Sequence, residues 1–342
     1  MEKIRVAVIG CGSIAKHRHL VEYDAHNQVH IVAVCDIVET RAKEMAAKYG
    51  ATAYTDYLDL LKNEQIDAVS VCLPNYLHAP VSIDAIQADC HVLCEKPMAT
   101  SQQEAENMIQ AAKTKQKKLM IAHNQRFVAS HVKAKELIER GELGEIYSFR
   151  TTFGHGGPEG WSVDGAESWF FKKEEAFIGA MGDLGVHKAD LLRYLLGEEF
   201  TEVSAMVETN AKENATVDDN AVCILKSASG VIGTLTASWA YNATEDNSTV
   251  IYGKKAVLRI EDDPSYGLIV QYSNGDTVNY QLGKIQSNDA GGQTTTHVID
   301  HFITSIVENK EPLINGEEGM KSLHIILAAL ASSETKQWTQ IQ

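Results

Sequence analysis

The stretch "IRVAVIGCGSIA", residues 4–15, decides the fold of the first third of this chain. Its first seven residues form an apolar-rich run that ends at a glycine, which is typical of a parallel strand covered on both faces. A helix is predicted from about Ser13. The alternation continues with strands predicted at 29–36, 68–74, 91–95 and 118–124 and helices at 38–50, 78–88 and 101–116. Strands that alternate with helices predict a doubly wound parallel sheet with right-handed crossovers.

The pattern changes after about residue 125. Helices are predicted at 130–141, at the glycine-rich stretch 179–197, and near 296–309 and 317–334. Strands joined by short turns are predicted at 145–154, 201–211, 217–228, 231–241, 248–252, 256–261, 267–273 and 276–282. Their period-two alternation indicates an α+β domain with a large, mostly antiparallel open sheet. We therefore predict two domains, residues 1–124 and 125–342.

Composition argues against several classes of function. The 342 residues include 46 acidic and 31 basic side chains, and the formal charge of −15 disfavours nucleic acid and anionic membranes as partners. No apolar run approaches the ~20 residues that a membrane-spanning helix needs, and the start of the sequence lacks the pattern of a signal peptide. The six cysteines form no C-x-x-C pair, so we expect reduced thiols, no metal site and a cytoplasmic location.

Residues 10–15, "GCGSIA", fit the pattern G-x-G-x-x-G/A directly after a strand and before a helix. Gly10 allows the tight turn, and Gly12 lets the backbone approach a pyrophosphate. Ala15 keeps the helix close to the strand, and the amides of Ser13 and Ile14 lie at the positive end of the helix. The segment therefore predicts a dinucleotide-binding site.

Asp36, at the end of the second predicted strand, indicates which dinucleotide binds. It follows Gly12 by 24 residues, near the ~20-residue spacing of an acid that binds the adenosine ribose hydroxyls. A carboxylate at this position repels a 2′-phosphate, so we predict NAD, with NADP less favoured. Arg41 is a signal in the other direction because arginine can bind that phosphate, but it can also stack beside adenine or lie in solvent.

Three further residues suggest a catalytic site. Asp183 and His187 are four residues apart, hence on one face of a predicted helix. Histidine is the natural general base near neutral pH, and a neighbouring carboxylate orients it. Lys96 follows a predicted strand, and ligands of doubly wound folds bind outside the carboxyl ends of the strands.

The chain resembles the glucose–fructose oxidoreductase / inositol dehydrogenase / rhizopine catabolism (Gfo/Idh/MocA) oxidoreductases over nearly its whole length. The likeness lies in "VAVIGCGSIAKHRH" (6–19), "VCLPNYLHAPVSIDAIQADCHVLCEKPMA" (71–99), "NQRF" (124–127), "GELGEIYSF" (141–149), "GAMGDLGVHKADLLRYLLG" (179–197) and "VDDNAVCILKSASGVIGTLTASW" (217–239). The resemblance implies a Rossmann NAD-binding domain and a substrate domain whose sheet makes homodimers or homotetramers. It also implies hydride transfer between nicotinamide and a secondary hydroxyl of a cyclic polyol or sugar.

The resemblance also assigns residues. It implies that Lys96, Asp183 and His187 form the catalytic set and that the Lys96–Pro97 peptide bond is cis. No metal is then needed, because Lys96 supplies the electrophile. The residues expected to contact the cofactor, beyond the glycine segment, Asp36 and Arg41, are Pro74, Asn75, His78, Glu95 and Lys96.

Three residues and two functions stay open on sequence alone. His155 and Trp161, in the loop "GHGGPEGW" (154–161), can meet a sugar or belong to an ordinary glycine-rich loop. Arg126 is either a substrate-binding or a structural residue. The alternatives to a polyol or sugar dehydrogenase are a dinucleotide-binding regulatory protein on the same fold and an oxidoreductase for an aromatic diol, an amino sugar or a sugar nucleotide.

Overall fold

The computed structural model describes residues 3–282 and 295–342, which divide into two compact units. The first unit comprises residues 3–124, 161–165 and 295–320, and the second comprises 125–160, 166–282 and 321–342. The first division between the units falls after residue 124, and two later segments, 161–165 and 295–320, also belong to the first unit. Residues 295–320 join the first unit partly because Glu22 accepts hydrogen bonds from the Thr296 amide at 2.8 Å and the Thr295 hydroxyl at 3.3 Å.

The first unit contains a six-stranded parallel sheet in the order β3-β2-β1-β4-β5-β6. Its strands are β1 (Ile4–Ile9), β2 (Val29–Cys35), β3 (Thr52–Tyr54), β4 (Ala68–Val71), β5 (His91–Cys94) and β6 (Leu119–Ile121). A π-helical turn, Ala15–His19, precedes the helices α1 (Leu20–Ala25), α2 (Glu39–Tyr49), α3 (Tyr57–Asn63), α4 (His78–Gln87) and α5 (Gln102–Lys115). The predicted doubly wound parallel sheet is confirmed.

Burial explains why the opening stretch becomes the central strand. Val6 to Ile9 of β1 are at most 1% exposed, since the strand is covered on both faces.

Gly50 ends α2 at φ +68, and the Ser101 hydroxyl accepts from the Glu104 amide at 3.3 Å at the start of α5. Strand β3 was not predicted, because three residues are too few to show a period.

The second unit contains a nine-stranded sheet in the order β14-β13-β12-β11-β7-β10-β9-β8-β15. Its strands are β7 (Ile146–Gly154), β8 (Phe200–Glu208), β9 (Asn220–Ser227), β10 (Ile232–Ser238), β11 (Thr249–Gly253), β12 (Ala256–Ile260), β13 (Leu268–Tyr272), β14 (Thr277–Tyr280) and β15 (Thr339–Gln340). The helices of this unit include α6 (Ala129–Glu139), α7 (Lys173–Ala176) and α8 (Val186–Leu196). Later in the chain follow α9 (Val298–Val307) and α10 (Gly316–Thr335).

This sheet is mostly antiparallel, as predicted, with β10 and β7 paired in parallel at its centre. One face of the sheet and α8 share an apolar core that includes Leu191, Leu195, Leu235 and Trp239. The predicted helix 179–197 begins as a π-helical turn, Met181–Gly185, that continues as α8. No helix among the described residues is long and apolar enough to cross a membrane.

Candidate active site

The glycine turn after β1 is shaped for a ligand. Gly10 has φ +96, and a Cβ on it would lie 2.0 Å from the carbonyl oxygen of Cys72, so no other residue fits there. A Cβ on Gly12 would meet nothing within 4 Å, which leaves the backbone of the turn open to an approaching group. These two positions fit the pyrophosphate of a dinucleotide.

Asp36 lies beside this turn, directly after β2. Its Oδ2 accepts from the Cys11 amide at 2.9 Å and its Oδ1 from the Val38 amide at 2.8 Å. These bonds hold the carboxylate, which is 9% exposed, between the glycine turn and the start of α2. Each carboxylate oxygen can accept a further hydrogen bond, so the arrangement suits the ribose hydroxyls of NAD.

The short segment 161–165 of the first unit contacts both the glycine turn, through Trp161, and helix α2, through Arg41. The Ser13 hydroxyl donates to the carbonyl oxygen of Trp161 at 2.8 Å, which holds this segment against the glycine turn. Arg41, on α2, forms an ion pair with Asp164 of the same segment. The structure therefore places Trp161 at the glycine turn, in a different unit from His155.

The predicted cofactor loops follow neighbouring strands of the first sheet. Ile9 pairs with Val71 and Val71 with Cys94, so β1, β4 and β5 end side by side. The loop after β4 carries Pro74 and the buried Asn75. The loop after β5 carries Glu95 and Lys96, which brings these residues to the same edge of the sheet as the glycine turn.

His78 connects two of these loops. Its ring nitrogens lie 2.7 Å from the carbonyl oxygen of Pro97 and 2.8 Å from that of Leu73. Burial lowers the pKa of this imidazole, against the effect of both carbonyl contacts. Because both nitrogens contact backbone oxygens, His78 positions the loops after β4 and β5 relative to each other.

Lys96 is half-buried, and the peptide bond to Pro97 is cis, as the resemblance implied. The neighbouring carboxylate of Glu95 accepts from His19 Nε2 at 2.8 Å, and Nδ1 of that ring lies 3.0 Å from the hydroxyl of Ser70. Burial raises the pKa of Glu95, but the hydrogen bond and charge of His19 outweigh it, so the pKa lies below its ordinary value. His19 was not assigned from the sequence, although it lies within the motif that carried the resemblance.

Asp183 and His187 lie in the second unit and are both buried, at 6% and 8% exposed. Asp183 is in the π-helical turn, and its Oδ2 accepts from the Trp239 indole at 3.2 Å. The His187 ring packs at a tilt against Phe153, with 5.9 Å between ring centroids. The chain therefore presents a carboxylate and an imidazole in an apolar setting, where a general base and its partner can act on a hydroxyl.

Asp218 holds the turn that carries Asp183. Its carboxylate accepts from the amides of Gly179 at 2.7 Å and Met181 at 2.8 Å. A Cβ on Gly179 would lie 1.8 Å from the Asp218 carbonyl oxygen, so the approach requires glycine. Neither Asp218 nor Trp239 was assigned a role from the sequence, because their contacts join the turn to residues far along the chain.

Two other predicted residues have defined surroundings. His155 lies in the second unit, where its ring packs edge-on against Phe153, the ring that also contacts His187. Arg126 forms a buried ion pair with Asp190, donating to its two oxygens at 2.8 and 2.7 Å. This pairing favours the structural alternative for Arg126.

In the part of the chain described here, no three His, Cys, Asp or Glu side chains are grouped so as to hold a metal ion.

Two family models match the chain. One, described as an oxidoreductase family with an NAD-binding Rossmann fold, matches residues 4–123. The other, the GFO/IDH/MocA C-terminal domain, matches residues 131–259. The matches cover both the glycine turn with Lys96 and the helix with Asp183 and His187.

Similar proteins include dehydrogenases of sugars and inositol. A levoglucosan dehydrogenase of Pseudarthrobacter phenanthrenivorans is 29% identical over 86% of this chain and 80% of its own length. A myo-inositol 2-dehydrogenase of Thermotoga maritima is 26% identical over 99% of both chains. Among solved structures, a levoglucosan dehydrogenase in complex with NADH and levoglucosan aligns with a TM-score of 0.86 at 26% identity, covering 99% of this chain and 100% of the other.

Proposed function

The chain belongs to the Gfo/Idh/MocA family of NAD-binding oxidoreductases, and from this premise we propose that it transfers hydride between NAD and a secondary hydroxyl of a cyclic polyol or sugar. The observation that carries the proposal is one edge of the first sheet, where Asp36, the glycine turn, the loop with Asn75, and Lys96 follow the adjacent strands β2, β1, β4 and β5 in turn. Relatives named as levoglucosan and inositol dehydrogenases support the substrate class.

We assign the chemical roles as follows. The bound nicotinamide supplies the hydride acceptor. Lys96 donates a hydrogen bond to the reacting hydroxyl and lowers its pKa as the proton leaves. His187 takes that proton, and Asp183 orients the histidine or an adjacent hydroxyl. No step requires a metal ion, because the ammonium group of Lys96 polarises the oxygen.

We propose that the remaining predicted residues serve the cofactor and the substrate pocket. Glu95, anchored by His19, and the loop with Pro74 and Asn75 contact the nicotinamide half. His155, against the same phenyl ring as His187, is the best candidate for a substrate contact in the second unit.

A substrate screen tests this proposal. Inositols, aldoses and sugar acids are incubated singly with NAD and with NADP, and the formation of reduced nicotinamide is followed by absorbance. Turnover with at least one polyol or sugar is expected, faster with NAD. Binding of NAD without turnover of any compound would favour a regulatory protein, and turnover only of an aromatic diol, an amino sugar or a sugar nucleotide would assign a different substrate.

We propose that the outer face of the nine-stranded sheet binds a second copy of this chain, giving a homodimer or a homotetramer. Apolar side chains are exposed on adjacent strands of this face, among them Met206 at 75%, Val222 at 49% and Ile224 at 44%. Met206 lies opposite Val222 in the register of β8 and β9. Contiguous exposed apolar residues of this kind mark interaction surfaces.

Light scattering tests the assembly. We expect the wild-type chain to have the mass of a dimer or tetramer and Met206→Glu combined with Ile224→Lys to have a lower one. Leu313→Glu, at an exposed apolar residue of the first unit, is the control and should keep the wild-type mass. A monomeric wild-type protein would disprove the assembly.

The six cysteines are free thiols, which supports our proposal of a reducing, cytoplasmic location.

A further inference from the structure

Arg41 is the one signal in the sequence that favoured NADP, and the structure shows where its guanidinium lies. Nη2 of Arg41 hydrogen-bonds Oδ1 of Asp164, and Nη1 lies 3.4 Å from Oδ2. The hydrogen bond to Asp164 raises the pKa of Arg41, and the charge of Asp36 acts in the same direction. Two carboxylates of the first unit therefore act on this single guanidinium.

The position of Asp164 is set by the glycine turn itself. Trp161 accepts from the Ser13 hydroxyl at 2.8 Å, and three residues further on Asp164 reaches Arg41. The Gly165 amide donates to the carbonyl oxygen of Ser162 at 3.1 Å, and Gly165 has φ +53, which closes a turn at this point. The segment 161–165 thus carries a negative charge to Arg41 at the start of α2, the same guanidinium on which the charge of Asp36 acts.

We propose that Asp164 is a specificity-determining residue that disfavours NADP by holding Arg41. A 2′-phosphate gains most from a guanidinium that can donate two parallel hydrogen bonds. While Asp164 occupies Arg41, the phosphate meets the charge of Asp36 without this compensation. NAD has no phosphate at this position and needs only the carboxylate of Asp36. This inference rests on dinucleotide binding and is independent of the substrate proposed above.

The test is calorimetric titration of the purified enzyme with NADP and with NAD, in the absence of any substrate. In Asp164→Asn the guanidinium is released, and we expect NADP to bind roughly tenfold more tightly, the effect of one charge-assisted hydrogen bond gained. NAD affinity should change less than about threefold. Because Asp164 is an exposed residue, the variant should fold like the wild type, which its melting temperature checks.

A matched control separates this effect from a simple change of charge. Glu39→Gln also removes one exposed carboxylate, the partner of Lys43 at 2.7 Å on the same helix as Arg41. Glu39 and Lys43 lie two residues before and after Arg41, hence on the other side of the helix. We expect this variant to keep the wild-type ratio of NAD to NADP affinity.

The double variant shows whether Asp164 acts through Arg41. In Arg41→Ala, the further change Asp164→Asn should alter NADP affinity by less than about twofold, because no guanidinium is left to release. An unchanged affinity ratio in Asp164→Asn would overturn the proposal. So would a gain that persists in the Arg41→Ala background, or an equal gain in Glu39→Gln.

Discussion

The hydrogen bond from Trp239 to Asp183 gives the sharpest prediction about catalysis. Trp239 is fully buried, and its indole N–H lies 3.2 Å from Oδ2 of Asp183. Trp239→Phe keeps an aromatic ring but removes this donor. A hydrogen bond to a charged acceptor contributes about 1.5–3 kcal/mol, and the smaller ring leaves a cavity that costs about 1 kcal/mol. We therefore expect the variant to lose about 3 kcal/mol of folding stability.

The effect on turnover follows from the role proposed for Asp183. Without the indole, the carboxylate is held less firmly relative to His187, and we expect kcat to fall about 10- to 100-fold. The affinity for NAD should stay within about twofold of the wild type, since the change removes a donor to Asp183 and none of the groups assigned to NAD binding. Melting temperature, NAD titration and steady-state kinetics on one preparation measure the three quantities.

Phe171→Leu is the matched control. Phe171 is buried and packs edge-on against the Trp239 ring at 5.7 Å, so its truncation loosens the same core but leaves the indole donor in place. If Phe171→Leu lowers kcat as much as Trp239→Phe, packing and not the hydrogen bond is responsible. A kcat for Trp239→Phe within twofold of the wild type would refute the reasoning. In an Asp183→Ala background, Trp239→Phe should have little further effect on kcat.

Three further predictions concern single side chains. Lys96→Met should bind NAD and melt no lower than the wild type yet be nearly inactive; retained turnover, or inactivity caused by unfolding, would contradict the role of its ammonium group. His187→Asn should preserve NAD affinity and lower kcat about 10²- to 10⁴-fold, with one ionisation near neutral pH missing from the rate profile; near-normal kcat would make His187 a structural residue. Burial lowers the pKa of Lys188 from 10.5 to about 8. Its buried charge therefore opposes folding below pH 8, and this cost disappears as the pH rises from 8 to 10.5. Over that interval, the unfolding free energy of the wild type in urea should rise by about 3 kcal/mol relative to that of Lys188→Met; a difference between the two that does not change with pH would contradict the prediction.

The sequence by itself determined most of the longer elements and their order, but not short ones such as β3 and β15. The apolar run at 4–10 predicted a strand covered on both faces. The period-two alternation in the second unit predicted the eight strands β7 to β14 to within a few residues. The positions of Gly10 at a sharp turn and of Asp36 at a strand end could also be predicted, because turns and strand ends are local features of the sequence. The cis peptide before Pro97 came from the resemblance and not from local physics.

Tertiary structure decided which distant residues meet. The bond from Trp239 to Asp183, the clamp of Asp218 on Gly179 and the ion pair of Arg126 with Asp190 join positions that are 56, 39 and 64 residues apart. It also placed 161–165 at the glycine turn, where Asp164 meets Arg41. Periodicity and propensity report only the backbone preference and the buried face of each segment. A contact between two segments depends on how their faces pack, and that is fixed only when the whole chain has folded.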